Sequence, residues 1–180
     1  MDAPDQVVIS EAELRRRVGE LGAEISRDYA GRTPVLVAVL KGSFVFLADL
    51  AREITVPVNV DFMAITRYAA GRRGGAVRIE KDLDIVVAGR DVLVVEDIVD
   101  TGLTLGYLMK NLGARDPASL AVCTLLDRRA RRLTKLPLRY VGFEVPDRFL
   151  VGYGLDHREQ YRNLPYLGAL PEATIGTATR

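Results

Sequence analysis

The chain lacks several features that would point to particular classes of protein. It has no tryptophan and a single cysteine, Cys123, among its 180 residues. One cysteine cannot form an internal disulfide, and Cys123 lies in the apolar run 120–126, where a buried, unreactive thiol is the expected state. No apolar stretch reaches the roughly 18 residues that a membrane-spanning helix needs. Residues 1–10 contain two acidic side chains and no long apolar core, unlike a secretory signal. We therefore expect a cytoplasmic protein without a membrane segment.

Charge of one sign is also lacking. The formal net charge is +1, so bulk electrostatics give no reason to expect binding to nucleic acid. Apolar residues make up 48% of the chain, which is enough for a large core. This length and composition predict a single domain, 1–180.

The first helix is predicted by its start signal and its periodicity. Ser10 and Glu13 have the spacing of a capping box, in which each side chain satisfies a backbone amide at the helix start. Apolar residues then recur at spacings of three and four, which places them on one helical face: Leu14, Val18, Leu21, Ile25 and Tyr29.

Further along, apolar runs of strand length alternate with turns and short helices. The predicted strands are 34–40, 56–65, 77–83, 92–95, 120–125, 140–145 and 149–151. Helices are expected over 44–52 and up to about residue 112. The segment 66–75 holds three glycines and three arginines, and is predicted to be a mobile loop. This alternation predicts an α/β fold with a mostly parallel sheet covered on both faces.

The predicted architecture also indicates where a ligand would bind. In open parallel sheets, ligands lie beyond the carboxyl ends of the strands. Three segments directly follow predicted strands: 41–42, 96–104 and 127–132.

The segment 96–104, EDIVDTGLT, carries the most specific chemistry. Its strand delivers two adjacent carboxylates, Glu96 and Asp97, which suit sugar hydroxyls or a magnesium ion held largely through water. The residues Asp100, Thr101, Gly102, Leu103 and Thr104 then lead into a helix. Glycine, hydroxyls and a helix N-terminus together form a phosphate cradle. For any one residue, an ordinary helix N-cap explains the pattern better, but it does not explain the whole ordered set.

This segment resembles the phosphoribosyl pyrophosphate motif of type I phosphoribosyltransferases, in the form found in their hypoxanthine-guanine branch. The similarity extends from about residue 10 to residue 168. Other segments agree in order and spacing, namely LKGSF at 40–44, DFM at 61–63, KDLD at 81–84, VGF at 141–143 and VGYGLD at 151–156. The resemblance implies a mostly parallel twisted sheet flanked by helices, with a small hood formed by the terminal segments, the C-terminal part being about 127–170.

The resemblance also implies a reaction. The family transfers the phosphoribosyl group of phosphoribosyl pyrophosphate to hypoxanthine or guanine, with magnesium, as a purine-salvage step. The leaving pyrophosphate is highly charged, so cations must stabilise it and water must be kept out. Members of the family are dimers or tetramers, so a homodimer or homotetramer is expected.

Site roles follow residue by residue from the same resemblance. Glu96 and Asp97 would hold the ribose hydroxyls and water-mediated magnesium. Asp100 would be the general base or acid at the imidazole nitrogens of the purine, and 101–104 would surround the 5′-phosphate. Asp156 would bind a second magnesium.

The remaining implied roles concern the leaving group, the base and a lid. Lys41, Gly42 and Arg162 would meet the pyrophosphate, and the family has a cis peptide at the first two. Phe149 would stack on the purine while the Leu150 backbone reads its edge. The lid is expected at about 66–75 and includes Thr66 and Tyr68. Individually each of these residues also has an ordinary structural explanation, and His157 is given no role.

The chain departs from the family pattern at two positions. Arg128 stands where the family has a lysine that donates to the 6-oxo group, and Arg67 stands where a serine is more usual. Arginine still donates to a carbonyl but has a longer, planar fork, which leaves preference among hypoxanthine, guanine and xanthine open. Two other classes of protein are alternatives, namely a non-catalytic regulator of the same fold and a flavodoxin-like signalling domain. The presence of Asp100, Lys41 and Asp156 favours an enzyme.

Overall fold

A computed structural model describes residues 4–67 and 77–171, whose strands form two sheets. The strands of the larger sheet are β2 (Val35–Leu40), β3 (Asn59–Arg67), β4 (Val77–Lys81), β5 (Asp91–Val99), β6 (Ser119–Asp127) and β7 (Leu138–Glu144). Their order is β4-β3-β2-β5-β6-β7. Neighbours pair in parallel except β3 and β4, which form an antiparallel edge. The prediction of a mostly parallel sheet is confirmed.

The second sheet joins the two ends of the described chain. Its strands are β1 (Gln6–Ile9), β8 (Leu150–Val151) and β9 (Leu167–Ala169), in the order β1-β9-β8. Both pairings are antiparallel. A small hood from the terminal segments is therefore present, although β1 and β9 themselves were not predicted.

Three helices cover the larger sheet: α1 (Glu11–Asp28), α2 (Phe44–Glu53) and α3 (Leu103–Gly113). The capping box that begins α1 is formed, with the Glu13 amide donating to Ser10 Oγ over 3.3 Å and the Ser10 amide donating to Glu13 Oε2 over 2.8 Å. The five apolar residues predicted for one face of this helix segment are all buried. A short 3-10 turn, Arg129–Arg131, follows β6.

Successive strand residues pack into cores on opposite faces of the sheet. Leu36 and Leu93 belong to the core that α1 and α2 cover. Val35 and Val92 belong to the other core, where Leu108 of α3 packs. Because both faces are buried, these strands are continuous apolar runs rather than alternating ones.

Two predicted strand boundaries differ from the structure by three residues or more. The segment 96–104 was expected to be a loop, but β5 continues to Val99 because its backbone pairs with β6 as far as Val99 and Asp127. The strand expected to begin at residue 56 begins at Asn59, whose amide donates to the Pro34 carbonyl over 3.0 Å. Pro57 has no amide hydrogen to extend that ladder backwards.

The single cysteine lies in the core of the protein. Cys123 is fully buried, and burial raises the pKa of its thiol, so it is an unreactive core residue. Among residues 4–67 and 77–171, no helix is both long enough and apolar enough to cross a membrane.

Candidate active site

The candidate site lies at the carboxyl edge of the larger sheet. Val99, the last residue of β5, pairs with Asp127, the last residue of β6. The residues that follow, Asp100 and Arg128, therefore lie side by side at the same edge. The fold brings together the two segments that the sequence singled out independently.

Most of the segment predicted to bind phosphate lines a cavity of about 220 Å³. Its polar lining comes from Glu96, Asp100, Thr101, Gly102 and Thr104. The helix α3 begins directly behind it, so the positive end of the helix dipole points to this space.

Gly102 is required by the geometry of this loop. It is the N-cap residue of α3 with φ of 81°, a conformation that glycine adopts at low cost. A Cβ atom there would lie 2.5 Å from Thr134 Oγ1 and 2.8 Å from Leu136 Cδ1. Glycine also offers no side-chain acceptor to the first-turn amides of α3, unlike an ordinary capping residue.

The two oxygens of the Asp100 carboxylate differ in their contacts, since Oδ2 lies near two arginines and Oδ1 does not accept a hydrogen bond from the described residues. Arg128 Nη1 lies 3.7 Å and Arg131 Nη1 4.0 Å from Asp100 Oδ2. Oδ1 is shielded from solvent and accepts no hydrogen bond from the described part of the chain. A buried acceptor without a partner is costly, so it is suited to a ligand that brings a proton.

Arg128 is buried, with 7% of its surface exposed, whereas the neighbouring Arg129 and Arg131 are exposed. Its Nη2 donates to the Arg148 carbonyl over 2.7 Å. The turn before Phe149 therefore supplies this arginine with a backbone acceptor. Its Nε is buried and has no hydrogen-bond partner among the described residues.

Phe149 lies next to that contact and remains 36% exposed. Its ring meets His157 edge-on, with centroids 5.4 Å apart and an interplanar angle of 89°. The following residue, Leu150, is buried in β8 and pairs with Ala169. The hood thus holds Phe149 next to the carbonyl that Arg128 contacts.

The turn after β2 approaches the end of β5 very closely. The resemblance implied a cis peptide where Lys41 and Gly42 lie, and the cis bond of this turn is the one before it, Leu40–Lys41. A Cβ at Gly42 would lie 1.7 Å from Asp97 Oδ2, and a Cβ at Gly154 would lie 2.1 Å from the Gly42 carbonyl oxygen. Three chain segments therefore meet at a point where only glycine fits.

Charges of both signs surround this meeting point. Arg162 Nη2 lies 2.9 Å from Asp156 Oδ1 and 3.3 Å from Glu159 Oε1. Lys41 Nζ lies 3.2 Å from Glu159 Oε2. The two cations that the resemblance assigns to pyrophosphate thus share one carboxylate.

Asp97 has an unusual pKa for a carboxyl group. Burial raises its pKa to about 6, although the amide of Ile98, its own backbone amide and the charge of Arg162 oppose the rise. The nearby Asp156 raises the pKa further. Burial penalises the charged form, so a cation bound here would favour the carboxylate.

The acidic residues fit a hard divalent cation. Carboxylate oxygens from Glu96, Asp97 and Asp156 are the donor type that magnesium prefers. Within the described ranges no group of three or more potential ligands converges on one point. Magnesium commonly uses one or two carboxylates and completes its shell with water and substrate phosphates, so this donor set suits it.

The expected lid is only partly described. Thr66 lies in β3, two residues beyond Ala64, which pairs with Leu40 of β2. It therefore lies near the same sheet edge as Lys41. Tyr68 and the rest of the segment up to residue 75 lie outside the described residues.

Two residues at this edge were not singled out by the sequence. Asp127 is buried at the end of β6, and Arg132 contacts both it and the backbone of the phosphate loop. Both lie in the segment 127–132, in which the sequence indicated a role only for Arg128. The signal that could have found them is the register of β5 on β6, which the sequence does not display.

Comparison with known proteins agrees with this geometry. Residues 9–158 match the phosphoribosyl transferase domain family. A hypoxanthine phosphoribosyltransferase of Salmonella typhimurium is 50% identical over 166 residues, covering 91% of this chain and 93% of that protein. A hypoxanthine-guanine phosphoribosyltransferase of Bacillus subtilis is 46% identical over 170 residues, with 94% of each chain covered.

Solved structures give the same result. A crystal structure of a hypoxanthine-guanine phosphoribosyltransferase from Bacillus anthracis superposes with a TM-score of 0.89 and is 44% identical. The match covers 94% of this chain and 100% of that one. The chain therefore belongs to the phosphoribosyltransferase family, in its hypoxanthine-guanine branch.

Proposed function

We propose that this protein catalyses a purine-salvage reaction, the magnesium-dependent transfer of phosphoribose from phosphoribosyl pyrophosphate to hypoxanthine or guanine. The products are IMP or GMP and pyrophosphate. One observation carries the proposal: the cavity at the start of α3 is lined by Asp100, whose buried Oδ1 accepts no hydrogen bond from the described part of the chain. Two cations, Lys41 and Arg162, and the partly exposed ring of Phe149 supply the other groups that the reaction needs. The names of the relatives support the same choice of bases.

Each side chain has a role in this reaction. Phe149 stacks on the purine, and the Leu150 backbone meets its edge. Asp100 Oδ1 holds or releases the proton at the imidazole nitrogen as the glycosidic bond forms. The loop from Thr101 to Thr104 binds the 5′-phosphate through its amides and hydroxyls.

The leaving group is bound on the other side of the sugar. Lys41 and Arg162 bind the pyrophosphate, which displaces Glu159 from between them. Glu96, Asp97 and Asp156 would hold magnesium. When it is bound, the ion would neutralise part of the negative charge of the pyrophosphate. The closely packed Gly42 lets the pyrophosphate approach the backbone.

Base preference depends on Arg128. A buried guanidinium beside Asp100 and the Arg148 carbonyl favours a 6-oxopurine, because the 6-amino group of adenine would meet a donor. A xanthine- or guanine-preferring enzyme is the alternative, since the longer fork of arginine can reach differently from the family's lysine. A non-catalytic regulator is the less favoured candidate, because Asp100, Lys41 and Asp156 are all in the site.

Location and assembly complete the proposal. Phosphoribosyl pyrophosphate carries several charges and does not cross a membrane unaided, so the enzyme works in the cytoplasm where that substrate is made. We expect a homodimer or homotetramer, as the resemblance implies.

The experiment that tests the proposal measures IMP formed from phosphoribosyl pyrophosphate, hypoxanthine and magnesium. Wild-type protein should form IMP, and chelation of magnesium should abolish the reaction reversibly. Asp100→Asn should lower kcat by about 10²–10⁴-fold, the usual contribution of a positioned proton-transfer group. Asp116→Asn is the matched control, since Asp116 is exposed in a turn after α3 and should leave kcat unchanged. Retention of half the wild-type kcat by Asp100→Asn would contradict the role of Asp100.

A further inference from the structure

Arg132 connects three groups at the base of the phosphate loop. Its Nε donates to the carbonyl of Asp100 over 3.1 Å, and its Nη2 donates to the carbonyl of Val99 over 3.3 Å. The same Nη2 donates to Asp127 Oδ1. One guanidinium thus holds two consecutive carbonyls, and the second of them belongs to Asp100 itself.

The guanidinium is itself held in place. Asp127 is buried, and the side chain of Arg132 is only 17% exposed. A buried carboxylate needs a charged partner, so the pair fixes the fork against the end of β6. The planar guanidinium presents its donors in a fixed geometry, which a lysine ammonium does not reproduce.

The segment that carries Arg132 also binds the loop through its backbone. The Arg128 amide donates to the Val99 carbonyl over 3.0 Å, and the Leu133 amide donates to the Thr101 carbonyl over 2.9 Å. Carbonyls of three successive loop residues are therefore bound by 128–133. The side chain of Arg132 supplies the contact to the middle one, Asp100.

We propose that Arg132 is a positioning residue for the transfer reaction, because it fixes the peptide units on both sides of Asp100 and so aims the Asp100 carboxyl at the purine. Arg132 touches no substrate, since it approaches the loop from the side of Asp127. The inference rests on the proposed role of Asp100. A displacement of about 1 Å in a reacting group can lower a rate about 100-fold, so a loose loop would lower kcat more than binding.

Arg129 provides a matched control. Its Nε lies 3.4 Å from Asp127 Oδ2, so it pairs with the same buried carboxylate. It is exposed, and it also forms an ion pair with Glu144. Replacing Arg129 removes a cation from Asp127 but leaves the loop carbonyls bound by Arg132.

The test compares Arg132→Met with Arg129→Met, and measures kcat, KM for hypoxanthine and thermal unfolding for each. Arg132→Met should lower kcat at least about tenfold while KM changes less than about threefold. Arg129→Met should stay within about twofold of wild type in both. If Arg132→Met does not fold, Arg132→Lys keeps a cation beside Asp127 and takes its place in every measurement.

A double-mutant cycle with Asp100→Asn separates positioning from general stability. If Arg132 acts through Asp100, Arg132→Met should lower kcat by less than about threefold once Asp100 is already asparagine. A further loss of tenfold or more in that background would overturn the proposal, as would a wild-type kcat for Arg132→Met. Full activity of Asp100→Asn alone would instead contradict the proposed role of Asp100, and this inference would fall with it.

Discussion

At the scale of single residues, Arg128 stands where the resemblance to the family leads us to expect a lysine. It is neither solvated nor free, since it links the Asp100 carboxylate to the carbonyl before Phe149. A purine placed on Phe149 would lie beside its guanidinium. The buried Nε, without a partner among the described residues, adds a donor that a substrate carbonyl could satisfy.

The size of the loss in kcat/KM when Arg128 is replaced should show whether its side chain donates a hydrogen bond to the purine. Loss of a hydrogen bond from a charged donor to a buried carbonyl costs about 1.5–3 kcal/mol, or roughly 10–150-fold in kcat/KM. Arg128→Ala should therefore lower kcat/KM for hypoxanthine at least about tenfold, and Arg128→Lys should recover much of it. Arg129→Ala should remain within about twofold of wild type. Similar, near-silent results for both alanine variants would mean that another residue meets the 6-oxo group.

The residue-level site was only partly predictable from the sequence. Residues 96–104 could be identified because glycine, hydroxyls and acids occur there in one ordered run. Asp127 and Arg132 could not, because their importance depends on which β5 carbonyls lie opposite the end of β6. Glu159 was also missed, since its position between Lys41 and Arg162 arises from a turn.

At the scale of elements, the all-apolar strands were predictable, whereas the short strands β1 and β9 and the polar end of β5 were not. Residues 34–38 and 92–95 of the predicted strands are buried on both faces, as their continuous apolar sequence indicates. The strands β1 and β9 have four and three residues, too few for a periodic pattern. The extension of β5 through Glu96 and Asp97 was missed because backbone pairing does not require apolar side chains.

The meeting of the β2–α2 turn with β5 makes a prediction at this scale. Gly42→Ala places a methyl group where Asp97 Oδ2 now lies, so turn and strand must separate. We expect kcat/KM for phosphoribosyl pyrophosphate to fall at least about tenfold, since small displacements in a reacting site are costly. Gly113→Ala is the control, because its Cβ would meet Leu120 Cδ2 at an ordinary 3.9 Å. Unchanged kinetics for Gly42→Ala would show that this close approach is not needed for catalysis.

At the scale of the whole molecule, Asp61 connects a central strand to the chain entering β5. It is buried and accepts hydrogen bonds from the amides of Phe62, Asp84 and Ile85 at 2.7–2.8 Å. Burial alone would raise the pKa of Asp61, but the three amides and the charge of Lys81 outweigh it and hold the pKa below its usual value of 3.8. The folded state therefore favours the carboxylate.

Stability should depend on pH accordingly. A carboxyl whose pKa is lowered by folding stabilises the protein fully above its unfolded pKa, and this contribution is lost as the pH falls through the lower, folded value. Asp61→Asn should lower the free energy of unfolding by a constant amount between about pH 5 and pH 7. The difference from wild type should shrink below about pH 4, as chemical denaturation at each pH would measure. A difference that grows toward acid pH would contradict the lowered pKa.

The sheet edge and the hood together form the proposed site for 6-oxopurines and phosphoribosyl pyrophosphate. The larger sheet supplies Asp100 and Arg128, and the small sheet supplies Leu150 beside Phe149. Neither sheet alone holds both the phosphate cradle and the base.

The most direct test offers hypoxanthine, guanine, xanthine and adenine together at equal concentration, with phosphoribosyl pyrophosphate and magnesium, and measures the four nucleoside monophosphates as they form. We expect IMP and GMP to form fastest and AMP to form at least about 100-fold more slowly. The reason is that a site that donates a hydrogen bond to a 6-oxo group rejects a 6-amino group, which is itself a donor. The rate of XMP formation then shows whether a site with Arg128 accepts a base that carries a second oxo group. The proposed site for 6-oxopurines would be contradicted if AMP formed as fast as IMP and GMP, or if no base gave a monophosphate.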